Sequence, residues 1–304
     1  MQTLVVCQNK GGDGKTMLSR LIGEFAGRNG LSTLLIDMDP QCNLSQRFIR
    51  MDIDQADPDG VMPPVHPEFD PEDAWDGRCS IADIYGTRAA EYGIAPYETW
   101  AENVQILPGH GSAMRAVELV RSSDVRELVV ERLRAFLSDP AFRSFGYDLV
   151  VIDTPPSKGP LVQSAIRAAD HMVIPCQMEQ GSVEGLQGML QQWRRENQNR
   201  PLEQRLNLLG ILPNKFRAVL IQQGTLEALL SRVAIRNYVL PMRIALRSVF
   251  AEVDHPNAKP RSVFDLPASN PARQEAESVC RHVLREMRLI ARADHATADE
   301  EAAA

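Results

Sequence analysis

Gln8-Asn9-Lys10-Gly11-Gly12-Asp13-Gly14-Lys15-Thr16 stands between a short apolar run, Thr3 to Cys7, and a segment of helical period that starts near Met17. Strand, glycine-rich loop, Lys-Thr pair and helix, in that order, form the setting of a phosphate cradle. Glycine is needed because successive backbone N–H groups must turn inward toward phosphate oxygens. A Cβ there would block the approach or forbid the backbone angles. The N-terminus of the following helix adds partial positive charge. Lys15 is placed to neutralise the β and γ phosphates of ATP, and the Thr16 hydroxyl to ligate Mg²⁺. The expected ATP-binding set is Gly11, Gly12, Asp13, Gly14, Lys15, Thr16 and Met17.

Outward from the loop, apolar runs rich in β-formers alternate with longer segments of helical period. They are Thr3 to Cys7, Thr33 to Ile36, Val104 to Leu107, Leu149 to Ile152, His171 to Pro175 and Leu206 to Leu212. That alternation predicts an α/β fold, a mostly parallel twisted sheet with helices on both faces and ligands at the carboxyl ends of the strands. Helices are expected over Ser80 to Tyr85, Ala113 to Arg121, Val125 to Leu137 and Pro271 to Ala293. One P-loop domain is expected over residues 1–293, interrupted by a proline-rich acidic insertion at about 51–78. Residues 51–77 hold nine acids and no Lys or Arg, and they read as a solvated, partly mobile surface loop. Residues 294–304 read as a disordered acidic tail.

The 304 residues are 44% hydrophobic and carry a net charge of −7. Five cysteines lie far apart with no CxxC pair, usage that suits a reducing cytoplasm. No apolar run approaches the roughly 18 to 20 residues of a membrane span. A negative net charge argues against nucleic acid, but the charge is unevenly distributed. From Arg194 to Arg292 there are 17 Lys and Arg against 9 Asp and Glu.

The pattern GxxxxGK[ST] asks for glycine at position 9, where Asn9 stands. What remains, Lys10-Gly11-Gly12-x-Gly14-Lys15-Thr16, resembles the deviant Walker A loop of the ParA/MinD family. Asp37-Met38-Asp39-Pro40-Gln41-Cys42-Asn43 is similar to the DxDPQxN segment of ParA proteins, and Leu149 to Asp153 to a Walker B strand. The resemblance implies an ATPase in which ATP closes two subunits face to face. Lys10 then reaches the partner's phosphates, Asp39 serves hydrolysis, Asp37 and Asp153 lie near Mg²⁺, and Asn214 contacts adenine. Asp13 departs from the family's small or apolar residue; a side chain directed outward, toward partner or solvent, is expected. Cys42 replaces a usual glycine.

Within the family, the DxDPQxN segment favours ParA over MinD. ParA proteins coat DNA nonspecifically as ATP dimers and are released when a ParB-like or other cargo adaptor stimulates hydrolysis. The cargo can be a plasmid, a chromosome or a protein assembly, and a nucleoid-associated, cytoplasmic location follows. Arg217, Arg232, Arg236, Arg243, Arg247 and Arg261 are the candidate DNA contacts. With no base-reading element ahead of residue 1, binding should be nonspecific and salt-dependent. The last helix bears Arg281, Arg285, Arg288 and Arg292 beside apolar residues, which is also the pattern of a MinD-like membrane helix. It lacks Trp and Phe and ends in acids, so no membrane partner is expected. A P-loop metabolic or redox enzyme on the same scaffold is the remaining alternative.

Overall fold

The computed structural model describes residues 1–55, 57, 60–72, 75–255 and 258–291. Nine strands are present among them: β1 (Gln2–Val6), β2 (Thr33–Asp37), β3 (Asp52–Ile53), β4 (Val61–Met62), β5 (Tyr97–Glu98), β6 (Val104–Leu107), β7 (Leu149–Asp153), β8 (His171–Cys176) and β9 (Asn207–Pro213). Seven of them form one sheet in the order β5-β6-β2-β7-β1-β8-β9. All its pairings are parallel except β5 on β6. The sheet is therefore the expected one, and each expected strand agrees to within a residue at its ends. The edge pairing by Tyr97–Glu98 was not foreseen, because two residues are too few to show alternation.

Buried strands explain the near-continuous apolar runs, since both faces of the sheet are covered. Val5, Leu34, Ile36, Val150 and Ile152 face a core shared with the helices Ser123–Ser138, Pro160–Ala168 and Gln180–Gln198. Leu4, Val6, Leu35 and Val151 face the other way, toward Lys15–Arg28 and Pro271–Glu286. Each fully buried aliphatic side chain contributes about 1.5–3 kcal/mol. Register aligns the site. Val6 and Asp37 both pair with Asp153, so β1, β2 and β7 end at one level.

Two expectations are corrected here. The acidic insertion is only in part a solvated loop among its described residues: Glu68, Asp70 and Glu72 are exposed, but β3 and β4 form a short antiparallel ladder. Asp54 is buried and bonded to Ser112, with His110 Nε2 at 3.2 Å. His66 stacks edge-on against Tyr97 at 4.7 Å. Three more of the acids are held by partners later in the chain: Asp52 by Arg78 at 2.6 Å, Asp57 by Arg115 and Asp76 by Arg88. Composition reports the charge of the insertion but not the arginines that meet it.

The last helix ends at Glu286, short of Ala293, because Arg288 takes a left-handed conformation (φ 58°) that closes it. Leu289 N–H then donates to Leu284 O at 2.9 Å, and the Gln2 amide to Met287 O at 2.7 Å. Val279, Cys280, Val283 and Leu284 are buried, so the apolar face of this helix is already covered. Arg292 and the acidic tail at 294–304 lie outside the described residues. No described helix is long and apolar enough to cross a membrane.

Candidate nucleotide site

The loop after β1 is built on two glycines that need left-handed backbone, Gly12 (φ 88°) and Gly14 (φ 87°). Asn9 has no such φ, so the apparent gap in the motif falls where no glycine is required. Its Nδ2 instead donates to Gly185 O at 3.3 Å. Gly14 is the residue before the helix Lys15–Arg28, and a Cβ there would collide with the Asn214 amide.

Three side chains brace the loop. Asn214 Nδ2 donates to Asp13 O at 2.7 Å, Gln177 Nε2 to Gly12 O at 2.8 Å and Lys215 Nζ to Gly12 O at 2.7 Å. They arrive because Cys176 pairs with Pro213, so β8 and β9 end together under the loop. Asn214, expected at adenine, is fully buried in this bracing position. Only its Oδ1 is without a partner among the described residues.

Asp13 also differs from expectation. Its side chain points inward and accepts from Ser182 Oγ at 2.8 Å, fully buried. Burial raises its pKa against the lowering effects of Ser182, Lys10 and Lys15. Asp13→Asn keeps the bond to Ser182 and is expected to leave melting within about 1 kcal/mol of wild type. Asp13→Ala leaves the buried hydroxyl unmatched and should cost about 1–3 kcal/mol. Denaturant unfolding of the two variants checks this ordering.

The loop opens on a cavity of about 450 Å³, lined by Gly11, Gly12, Lys15, Thr16, Met17 and Asp39 on one side. Ile244, Leu246, Phe250 and Asp254 form another wall. These latter residues were missed from the sequence. Their stretch has no motif, and its place is set by Ile244 N–H bonding to Pro213 O at 3.1 Å.

Lys15 is buried, with Nζ donating to Lys10 O at 3.1 Å. Desolvation lowers its pKa, while Asp153, Asp39 and Asp13 act to raise it. Lys10 is half exposed and stands 3.6 Å from Glu179, a loose surface pair. It does not turn into its own cradle.

The acids divide by their partners. Asp37 Oδ2 accepts from Ser45 N–H at 2.8 Å and Ser45 Oγ at 2.7 Å, and its Oδ1 from Asp39 N–H at 3.1 Å. With both oxygens engaged, Asp37 holds the segment in place. Asp39 lines the cavity, one oxygen accepting from Gln41 N–H at 2.9 Å. Asp153 Oδ1 accepts from Ser19 Oγ at 3.1 Å. The Thr16 hydroxyl stands near enough to favour its ionised form, yet Oδ2 accepts no well-formed bond.

An orphaned buried carboxylate oxygen beside a threonine hydroxyl fits a hydrated Mg²⁺ carried on phosphate oxygens. No group of three or more His, Cys, Asp or Glu among the described residues is placed to hold a metal alone.

Burial raises Asp153 to about 8 and Asp37 to about 6. An unfolded carboxyl titrates near 4, so between about 4 and about 8 these two carboxyls bind more protons in the folded chain than in the unfolded one, opposed by His171, whose pKa burial lowers. Nucleotide-free stability should therefore fall as pH rises through that window. We expect melting a few °C lower at pH 8 than at pH 6, with Asp153→Asn flattening the difference. An unchanged slope in that variant would count against the buried charge as its source.

The structure separates the six arginines. Arg217, Arg232, Arg236 and Arg243 are exposed around the helix Leu220–Leu230. Arg243 lies over the Phe216 ring at 4.6 Å. Arg247 instead lines the nucleotide cavity and pairs with Glu275 at 2.7 Å. Arg261 borders a different cleft, with Glu24, Arg28 and Trp100. Closeness in sequence did not translate to one surface for these two, because the chain here runs along the helix Lys15–Arg28, with Phe250, Val263 and Phe264 buried in the core on that side.

Residues 1–208 match the AAA_31 family, described as an AAA domain. The chain is similar to the chromosome-partitioning ATPase Soj of Thermus thermophilus, 28% identical over 232 residues that cover 73% of this chain and 74% of that one. Among solved structures, apo McdA of Cyanothece superposes with a TM-score of 0.69 at 20% identity, covering 93% of this chain and 99% of that one. Cobyrinic acid a,c-diamide synthase of Mycobacterium smegmatis, with bound ADP and magnesium, superposes at 0.65 and 22% identity, covering 94% and 95%. These structures share the fold. The family match over residues 1–208 places the chain in the AAA_31 family, among the ParA/MinD-type partitioning ATPases, whose glycine loop with Lys10 and Lys15 it carries.

Proposed function

We propose that the chain is a ParA-type switch that hydrolyses ATP within a two-subunit arrangement, binds DNA nonspecifically in that state, and is released when a ParB-like or other cargo adaptor stimulates hydrolysis. The observation that carries this reading is the position of Lys10. It is a cation on the rim of the phosphate loop, held among the described residues only by a 3.6 Å surface pair with Glu179 and able to extend toward a facing subunit. A cation supplied there acts where charge develops on the transferred phosphoryl group.

Lys15 and the loop N–H groups bind and orient the phosphates, and Asp39 holds the attacking water. Thr16 and Asp153 are the residues that would hold Mg²⁺, whose chemistry is to offset charge on the β and γ phosphates. Exposed Leu220, Ile221 and Val233 beside Arg217, Arg232, Arg236 and Arg243 support a face that meets another macromolecule. The likeness to cobyrinic acid a,c-diamide synthase keeps a small-molecule ATP-dependent enzyme as the second reading.

Lys10→Ala tests the first. ATP binding to the monomer should stay within a few-fold of wild type. ATP-dependent dimerisation, read by analytical ultracentrifugation, should be lost, and turnover should drop roughly 100- to 1000-fold. Wild-type turnover in this variant would sink the two-subunit site. Acceleration of wild-type turnover by DNA with a partner protein, and not by a metabolite, separates the switch from the enzyme.

A further inference from the structure

A second cleft, of about 540 Å³, lies at the amino ends of β1, β8 and β9, where Thr3, His171 and Asn207 line it. The phosphate loop sits at the carboxyl ends of the same strands, so the two sites are separated by the full strand length, about 15–20 Å. Arg134, Arg143, Arg167, Arg200 and Arg205 all border this cleft. In a chain of net charge −7, such a gathering of cations needs a physical reason.

Two of the five are occupied by the fold. Arg167 pairs with Glu131 and Glu196. Arg200 pairs with Glu196 at 2.7 Å and donates to Ile166 O at 2.7 Å and Ala169 O at 2.8 Å, closing the helix Pro160–Ala168. The other three are not. Arg134 meets only the neutral Gln204 side chain at 3.2 Å, and Arg143 and Arg205 make no ion pair among the described residues. They come from separate elements: the helix Ser123–Ser138, the helix Pro140–Arg143 and the residue after the turn Leu202–Gln204. Of the acids on the lining, Asp170 already accepts Thr3 N–H at 2.9 Å and Glu203 is exposed. Unpaired guanidiniums around one concavity repel one another until an anion enters. Their planar forks suit phosphate oxygens in particular.

We propose that this cleft binds phosphate groups, taken either from a small phosphate compound or from a nucleic-acid backbone, at a site distinct from the nucleotide cavity. It does not depend on the partition reading given above.

The test uses the full chain saturated with ADP to occupy the loop, titrated with inorganic pyrophosphate and, separately, with a short random-sequence DNA duplex. At least one probe should bind. The double variant Arg143→Ser, Arg205→Ser should weaken that binding about tenfold or more, and Arg143→Lys, Arg205→Lys should recover much of it. Both side chains are exposed, so unchanged ADP affinity in the serine variant reports an intact fold. A pyrophosphate response identifies a small phosphate compound as the source. A response to duplex alone, with its salt slope reduced by about two, identifies a nucleic-acid backbone. Binding of neither probe, or equal affinity in wild type and the serine variant, overturns the proposal.

Discussion

Lys15→Ala is expected to weaken ATP binding at least 100-fold while leaving the chain folded. The ammonium is the one buried cation lining the cavity side of the loop, and the phosphates it faces bring several negative charges into a partly desolvated space. Losing a charge-assisted contact of that kind costs about 3 kcal/mol or more. The fold survives because the loop backbone is braced by Asn214, Gln177 and Lys215, and Lys15 contributes only its bond to Lys10 O. Calorimetric titration with ATP, alongside far-ultraviolet circular dichroism, separates the two effects. Retained ATP affinity in a folded variant would remove Lys15 from the phosphate site.

Asp39→Ala should show the reverse pattern, with ATP kept and turnover lost by roughly 10²- to 10⁴-fold. Asp39 lies on the cavity wall with one oxygen held by Gln41 N–H, and the proposed role of orienting water falls to the other. It does not brace the phosphate loop, and removing a carboxylate near phosphates lowers repulsion. Affinity for ATP should therefore be equal or slightly tighter, and the ATP-bound assembly should persist in gel filtration. Normal single-turnover hydrolysis in this variant would assign the water to another group.

Much of the geometry of the candidate site was legible in the sequence because its residues are neighbours in the chain. Gly12, Gly14, Lys15 and Thr16 lie within about one turn, so their spacing already encodes the backbone angles and the helix start. Asp153 was legible for a related reason, since an apolar β-rich run ending in an acid shows where a buried strand meets the ligand edge. Asp37 and Asp39 were assigned different roles only through the family resemblance, not from anything in their own spacing. Their division of labour rests on Ser45, whose hydroxyl and N–H engage one acid and not the other.

The inward turn of Asp13 depends on Ser182, which lies 169 positions away, and the place of Asn214 depends on the joint ending of β8 and β9. The ordering of the acidic insertion depends likewise on Arg78, His110, Ser112 and Arg115. By itself the sequence determined the parallel sheet, the phosphate loop and the acids at its rim, because hydrophobic period and backbone permissiveness are properties of neighbouring residues. Only the tertiary structure decided which polar side chains are spent on bracing, which face the cavity, and where unpaired arginines gather. Those outcomes depend on burial and on partners brought together by the crossovers of the sheet.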